Sequence, residues 1–124
     1  MRKSISVLVL GLGLAMVGAT SARAQDAAKG EAFFKRACQA CHTVEAGKNR
    51  VGPSLAGIVG RKAGSVEKFA YSPANKDSGV EWTEENLDKY LADPKAFMPG
   101  NKMAYAGAKN EADRKNLIAF LKTK

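Results

Sequence analysis

The chain has 124 residues and a formal net charge of +8, with 20 basic residues, 12 acidic residues, two cysteines and one histidine. This length allows one domain. Two cysteines and one histidine argue against a structural zinc site, which needs four such ligands. The basic excess suits an acidic partner surface, although solubility alone would also explain it. We expect no nucleic-acid partner.

The first 24 residues have the three parts of an export signal. A basic pair, Arg2 and Lys3, precedes an apolar run of 13 residues. That run is too short to span a bilayer, which needs about 20 residues, and the tripeptide that ends at Ala24 fits the small-x-small cleavage rule. We therefore predict a signal peptide over residues 1–24, cleavage near Ala24–Gln25, a periplasmic location and no stable membrane insertion. A retained N-terminal anchor is the alternative.

The remaining residues, 25–124, form the predicted domain, with 17 basic and 12 acidic residues and hence a net charge of +5. Asp26 is a good N-cap for a first helix that runs to about Cys41. Its apolar stripe includes Phe33 and Phe34. Gly30 is a poor helix former, so we expect another backbone to pack closely against it.

The first helix leads into Cys-Gln-Ala-Cys-His at residues 38–42, which holds both cysteines and the only histidine. This spacing is the attachment signature of a c-type haem. On a helix, Cys38, Cys41 and His42 would project from one face. The two thiols could then bond to one porphyrin while the imidazole binds its iron. A redox-active dithiol, a zinc half-site and a plain disulfide are alternatives, but each leaves part of the pattern unexplained.

The later helices and loops are predicted from the residues that typically begin and end them. Residues 43–64 are rich in glycine and proline and predict a long loop. Ser72, Thr83 and Asn110 are the expected N-caps of three further helices, and the third helix should end at Asp93 before a proline. The predicted buried faces are Leu87, Tyr90 and Leu91 in the third helix and Leu117, Phe120 and Leu121 in the last.

Both methionines of the predicted domain, Met98 and Met103, lie in the segment between the last two predicted helices. Because His42 is the only histidine, the second axial ligand of a haem iron cannot be another histidine of this chain. A thioether opposite histidine is typical of electron carriers. Either methionine could instead fill the core, and periodicity does not separate them.

The predicted domain closely resembles class I c-type cytochromes of the mitochondrial and short bacterial periplasmic type. The shared stretches lie in order along residues 30–122 and read CQACHTV, GPSLAGIVGRKAG, FAYSPANK, VEWTEENL, YLADPKAFMPGNKM and LIAFLK. The resemblance implies the cytochrome c fold, which is all-α, with three to five helices and long loops wrapped around one covalently bound haem. It also implies that Gly30 and Phe34 pack against Leu117 and Phe120.

The resemblance further implies which residues form the site. Cys38 and Cys41 carry the thioether bonds, His42 and Met103 bind the iron, and Met98 has no such role. Other positions that match the family's haem crevice are Pro53, whose carbonyl takes the ring N–H of His42, then Arg61, Tyr71 and Trp82 around a haem propionate, and Tyr90, Asn75 and Asn101 near the methionine.

With both axial positions filled, the resemblance implies a one-electron carrier and no enzyme. Its expected partners are acidic surfaces of redox proteins, such as an oxidase, a quinol-oxidising complex, a reaction centre or a periplasmic enzyme. The chain itself is expected to be a monomer. The predicted docking residues are Lys35, Arg36, Lys95, Lys102 and Lys109. A haem enzyme or gas sensor with a labile methionine is the alternative, and a docking subunit of a fixed complex is a third hypothesis.

Overall fold

The structure is a computed structural model that describes Gly13 and residues 25–124. The predicted signal peptide, apart from Gly13, and its cleavage site lie outside the described residues. Residues 25–124 contain five helices: α1 (Ala27–Ala37), α2 (Pro73–Lys76), α3 (Glu84–Ala92), α4 (Pro94–Phe97) and α5 (Glu111–Leu121). The only extended pairing in this range is an isolated antiparallel bridge between Lys62 and Glu81. The all-α prediction is confirmed.

The first helix begins where the sequence predicts and ends earlier. The Asp26 carboxylate accepts two backbone N–H groups of the first turn, as an N-cap does. The helix ends at Ala37, so the prediction that it continues to about Cys41 is wrong. The carbonyl of Phe34 accepts the N–H groups of both residues that follow Ala37, and this shared acceptor takes the chain off the helical path.

Helix α1 packs against α5 at the glycine that the sequence singled out. A Cβ atom at Gly30 would lie 1.9 Å from the carbonyl oxygen of Asn116 and 2.9 Å from Cβ of Phe120. Beside this contact, the rings of Phe34 and Phe120 have centroids 5.6 Å apart, and Leu117 is fully buried. The expected packing of the first helix on the last is confirmed.

The three other predicted N-caps are also confirmed. Side-chain oxygens of Ser72, Thr83 and Asn110 each accept a backbone N–H group three residues later. Helix α4 was not predicted. It starts at the residue after Asp93, whose carboxylate accepts the N–H of Ala96 at 3.1 Å, so one aspartate ends α3 and caps α4.

The core lies between α1, α3 and α5 and extends into the segment after α4. Met98 is only 4% exposed and belongs to this core, whereas Met103 is half-buried at its edge. The predicted buried faces are confirmed except for Leu91, which is half-buried. Among residues 25–124, no helix is long and apolar enough to cross a membrane.

Candidate haem site

A single turn after α1 brings together the two cysteines and the histidine. The backbone N–H groups of Cys41 and His42 both donate to the carbonyl of Cys38, at 3.1 and 2.9 Å. Neither sulfur is in a disulfide. Burial, helped by the neighbouring Cys41, raises the pKa of Cys38 to about 11. A redox-active dithiol needs a lowered thiol pKa, so this environment does not suit that alternative.

The histidine ring is held from two directions. Nδ1 of His42 lies 2.8 Å from the carbonyl oxygen of Pro53; with the proton on Nδ1 the ring donates to Pro53, and Nε2 keeps its lone pair. Burial lowers the pKa of His42 although the Pro53 contact opposes this, which favours the neutral, metal-binding form. A Cβ atom at Gly52 would lie 2.3 Å from Cε1 of the ring, so glycine is required beside it.

A hydrogen-bond network surrounds the residue after Pro53. Ser54 is 2% exposed; its N–H donates to Oδ1 of Asn49 at 2.9 Å and its hydroxyl donates to the carbonyl of Glu45 at 2.6 Å. The Asn49 amide donates in turn to the carbonyl of Glu67 at 3.1 Å. Sequence reasoning missed Asn49 and Ser54, since a loop path that joins residues 18 apart leaves no periodic signal.

Two polar side-chain atoms are buried and have no hydrogen-bond partner within the described residues: Nε of Arg61, which lies beside this network, and Oδ1 of Asn75. The rest of the Arg61 guanidinium donates to the carbonyls of Ala56 and Ser54, at 2.8 and 3.2 Å. Burial lowers the pKa of Arg61, yet an arginine keeps its charge. An unpaired buried donor is costly, and a carboxylate is the group that this cationic donor fits.

Aromatic side chains line the same region. Trp82 is 5% exposed, with its ring 4.8 Å from that of Tyr90 and 6.2 Å from that of Phe97 between centroids. The hydroxyl of Tyr71 accepts the N–H of Val66 at 3.1 Å. Accepting leaves the hydroxyl proton of Tyr71 available for another acceptor.

The two methionines have different surroundings. The hydroxyl of Tyr90 donates to Sδ of Met103 over 3.8 Å, and burial raises the pKa of Tyr90 to about 12, so this donor stays protonated. The Asn101 side chain accepts the N–H of Met103 at 2.9 Å and donates to the carbonyl of Met98 at 2.8 Å. Met98 itself packs in the core.

The segment that carries Met103 is fixed again where it returns to α3. A Cβ atom at Gly107, whose φ is 110°, would lie 2.3 Å from the carbonyl oxygen of Ala92. The N–H of Ala108 donates to the carbonyl of Leu91 at 2.7 Å, and the Lys109 ammonium donates to Ala92 at 2.7 Å. The segment is therefore anchored on both sides of Met103.

The five basic residues predicted for docking differ in their contacts. Lys95 has no ion pair within the described residues, and the guanidinium of Arg36 lies 5.2 Å from the ring centroid of Phe33. The others have partners: Lys35 pairs with Glu31 at 3.1 Å, Lys102 donates to the carbonyl of Ala70 and lies 5.2 Å from the ring centroid of Phe69, and Lys109 donates to Ala92.

These residues fit a covalently attached haem. The site combines two unpaired thiols, an imidazole whose Nε2 is left for a metal, a thioether near a hydroxyl donor, and a buried cationic donor without a partner. No group of three or more His, Cys, Asp or Glu side chains in residues 25–124 could hold a metal ion by itself. The fold and the site thus define an all-α protein of the c-type haem class.

Comparison with known proteins agrees. The sequence model of the cytochrome c family matches residues 27–124. The chain is 51% identical over 116 residues to cytochrome c2 of Blastochloris viridis, covering 93% of this chain and 91% of that one. It is 51% identical over 98 residues to a cytochrome c of Gibberella zeae, covering 78% and 92% of the two chains.

A solved structure, cytochrome cH from Methylobacterium extorquens, superimposes with a TM-score of 0.75 at 46% identity and covers 80% of this chain and 99% of that chain. The chain belongs to the cytochrome c family. It has the cytochrome c fold, carries one covalently bound haem c, and is an electron carrier and not an enzyme. Nothing in these relatives supports a haem enzyme or a gas sensor.

Proposed function

We propose that Cys38 and Cys41 form the thioether bonds to the haem and that His42 and Met103 are its two iron ligands. The observation that carries this proposal is the contrast between the methionines. Met98 is enclosed by the core, whereas Met103 is half-buried with its sulfur beside the hydroxyl of Tyr90.

When bound, the haem supplies the one-electron chemistry through its iron. The Pro53 carbonyl fixes the His42 ring and makes its free nitrogen more basic. The hydroxyl of Tyr90 donates to the Met103 sulfur and withdraws electron density from it. The crevice lining that we propose consists of Pro53, Arg61, Tyr71, Trp82 and Tyr90.

Side chains around the site would exclude water and balance charge. Arg61 would offer its unpaired Nε and its positive charge to a haem propionate, and Tyr71 would offer its hydroxyl proton. Trp82 contributes bulk, since its ring packs between other aromatic rings. Because His42 and Met103 would both hold the iron, no substrate would bind there, and electrons would pass to a docked partner.

We propose that docking uses the basic residues Lys35, Arg36, Lys95, Lys102 and Lys109 to attract acidic redox proteins. Hydrogen bonds from Lys102 and Lys109 to backbone carbonyls leave their charges intact, so both still contribute to long-range steering. The Lys35–Glu31 pair is exposed, and such pairs contribute only about 0–1 kcal/mol. A partner carboxylate can therefore replace Glu31. The proposed partners are redox proteins with an acidic surface: an oxidase, a quinol-oxidising complex, a reaction centre or a periplasmic enzyme.

The proposed location is the periplasm, where residues 25–124 act as a monomeric domain after a signal peptide over residues 1–24 is removed. The basic start, apolar run and cleavage tripeptide of the leader support this. Mass spectrometry of the purified protein should give an N-terminus at Gln25. A mature N-terminus at Met1 would contradict the proposed processing.

The iron ligand is tested by two methionine variants of the haem-loaded protein. Met103→Ala should abolish the methionine-to-ferric-iron charge-transfer absorption, whereas Met98→Ala should keep the band and lose stability, because it opens a core cavity. Truncating a buried methionine typically costs about 2–5 kcal/mol. The opposite pattern would assign the ligand to Met98. Denaturation followed by acid–acetone extraction should leave the haem on the protein, and release of the haem would contradict the thioether bonds.

A further inference from the structure

The carbonyl that orients His42 belongs to a peptide group that is held at both ends. A peptide unit is planar and rigid, so the Pro53 carbonyl and the Ser54 N–H move together. The carbonyl accepts from Nδ1 of His42 at 2.8 Å, and the N–H donates to Oδ1 of Asn49 at 2.9 Å. Anything that rotates this plane moves the acceptor of the histidine proton.

Asn49 uses both ends of its amide in this arrangement. Its oxygen accepts from Ser54 and its nitrogen donates to the carbonyl of Glu67, 18 residues along the chain, at 3.1 Å. A continuous hydrogen-bond chain thus runs from the His42 ring through the Pro53–Ser54 peptide and the Asn49 amide to Glu67. Hydrogen bonds in such chains polarise one another, so Asn49 makes the Pro53 carbonyl a stronger acceptor.

Residues 45–51 are exposed apart from Asn49, which is half-buried, so side-chain packing gives this part of the loop little support. Where packing does not fix a segment, its position depends on its hydrogen bonds. Ser54 has two other hydrogen bonds: its hydroxyl donates to the carbonyl of Glu45, and its own carbonyl accepts from Arg61. Neither bond involves the carbonyl of Pro53 or the N–H of Ser54, which form the peptide group between them.

We propose that Asn49 is a positioning residue, whose amide orients and polarises the Pro53–Ser54 peptide and thereby sets the strength of the hydrogen bond that His42 donates. This inference rests on the proposed role of His42 as an iron ligand. A stronger hydrogen bond at Nδ1 makes the imidazole a more basic ligand, which stabilises the ferric state. Asn49 therefore lowers the reduction potential through the peptide between Pro53 and Ser54, since its side chain bonds to Ser54 and to Glu67.

The test uses haem-loaded Asn49→Ala and measures hydrogen exchange of the His42 Nδ1–H by NMR together with the reduction potential. We expect exchange to become about tenfold faster, the equivalent of losing one hydrogen bond, and the potential to shift in the positive direction. Asn116→Ala is the matched control. Asn116 is also half-buried and accepts a backbone N–H, that of Asp26, at 2.9 Å, so its loss should lower stability alone.

Asn49→Asp separates positioning from stability. A carboxylate still accepts the N–H of Ser54, as a stronger charge-assisted bond, but it cannot donate to the carbonyl of Glu67. The Asp variant should therefore be destabilised yet keep the slow Nδ1–H exchange of the original protein. Fast exchange in this variant would show that the bond to Ser54 does not control His42.

Failure of the inference about Asn49 and failure of the proposed iron ligand give different results. If Asn49→Ala loses stability as Asn116→Ala does, with exchange and potential unchanged, Asn49 is only a structural residue and the inference is wrong. If the unsubstituted protein shows no haem-shifted Nδ1–H resonance for His42, the proposed iron ligand is wrong instead.

Discussion

Replacing Gly52 by alanine should displace the histidine ring and leave the backbone in place. The φ of Gly52 is outside the positive region, so alanine is tolerated by the main chain, and the effect is purely steric. The new Cβ would lie 2.3 Å from Cε1, 2.7 Å from Nδ1 and 2.8 Å from Nε2 of His42. Carbon atoms in good contact are about 3.5–4.0 Å apart, so the ring must move by more than about 1 Å.

That movement determines the size of the effect. A shift of this size lengthens the Nδ1 contact with Pro53, now 2.8 Å, beyond hydrogen-bond range. Overpacking typically costs about 1–3 kcal/mol, and the lost hydrogen bond adds about 1 kcal/mol. We therefore expect Gly52→Ala to lower the free energy of unfolding by about 2–4 kcal/mol.

The assay combines denaturant unfolding of the haem-loaded protein with NMR of the His42 ring. The control is Gly79→Ala, at a position with φ of 66° and no atom within 4 Å of the new Cβ. In this control the free energy of unfolding should fall by about 1–2 kcal/mol through backbone strain, and the His42 ring signals should keep their original positions. Unmoved His42 signals in Gly52→Ala, with stability within about 0.5 kcal/mol of the original, typical of a neutral surface change, would refute the steric reasoning.

Three further predictions concern other contacts. Gly30→Ala should lower the melting temperature by about 10 °C, because its Cβ would meet the backbone of α5 at 1.9 Å. An unchanged melting temperature in calorimetry would mean that α1 and α5 can move apart without loss of stability. Tyr90→Phe should lower the reduction potential measured by voltammetry, because it removes the donor to the Met103 sulfur; an unchanged potential would contradict this role. Lys95→Glu should slow electron transfer to an acidic redox protein in stopped-flow at low salt, with the difference shrinking as salt rises; an equal slowing by Lys29→Glu would remove the specific docking role.

Local signals in the sequence were sufficient for most helix starts. Thr83 and Asn110 were recognised as N-caps because a cap contacts a backbone group only three residues away. Gly30 was informative for a different reason, since a glycine inside a helix is unfavourable unless something fills the space of its side chain. By contrast, α4 has only four residues, too few to show a periodic pattern, and it went unrecognised.

The loops were harder to predict because their contacts join distant positions. The bond from Asn49 to Glu67 and the bond from Tyr90 to Met103 depend on the path of whole segments. The family resemblance predicted positions such as Pro53 and Arg61, for which the residues alone favoured no specific role. It did not identify Asn49, since an asparagine in a glycine-rich loop looks like ordinary turn chemistry.

The anchoring of the methionine segment bears on how fast electrons can move. Before Met103 the chain is tied by Asn101, and after it Gly107 lies against the carbonyl of Ala92. Only a few residues separate these two attachments, so the sulfur has little room to change position when the charge at the site changes by one electron. A small displacement of the surrounding atoms means a low reorganisation energy, and the activation barrier to electron transfer falls with it.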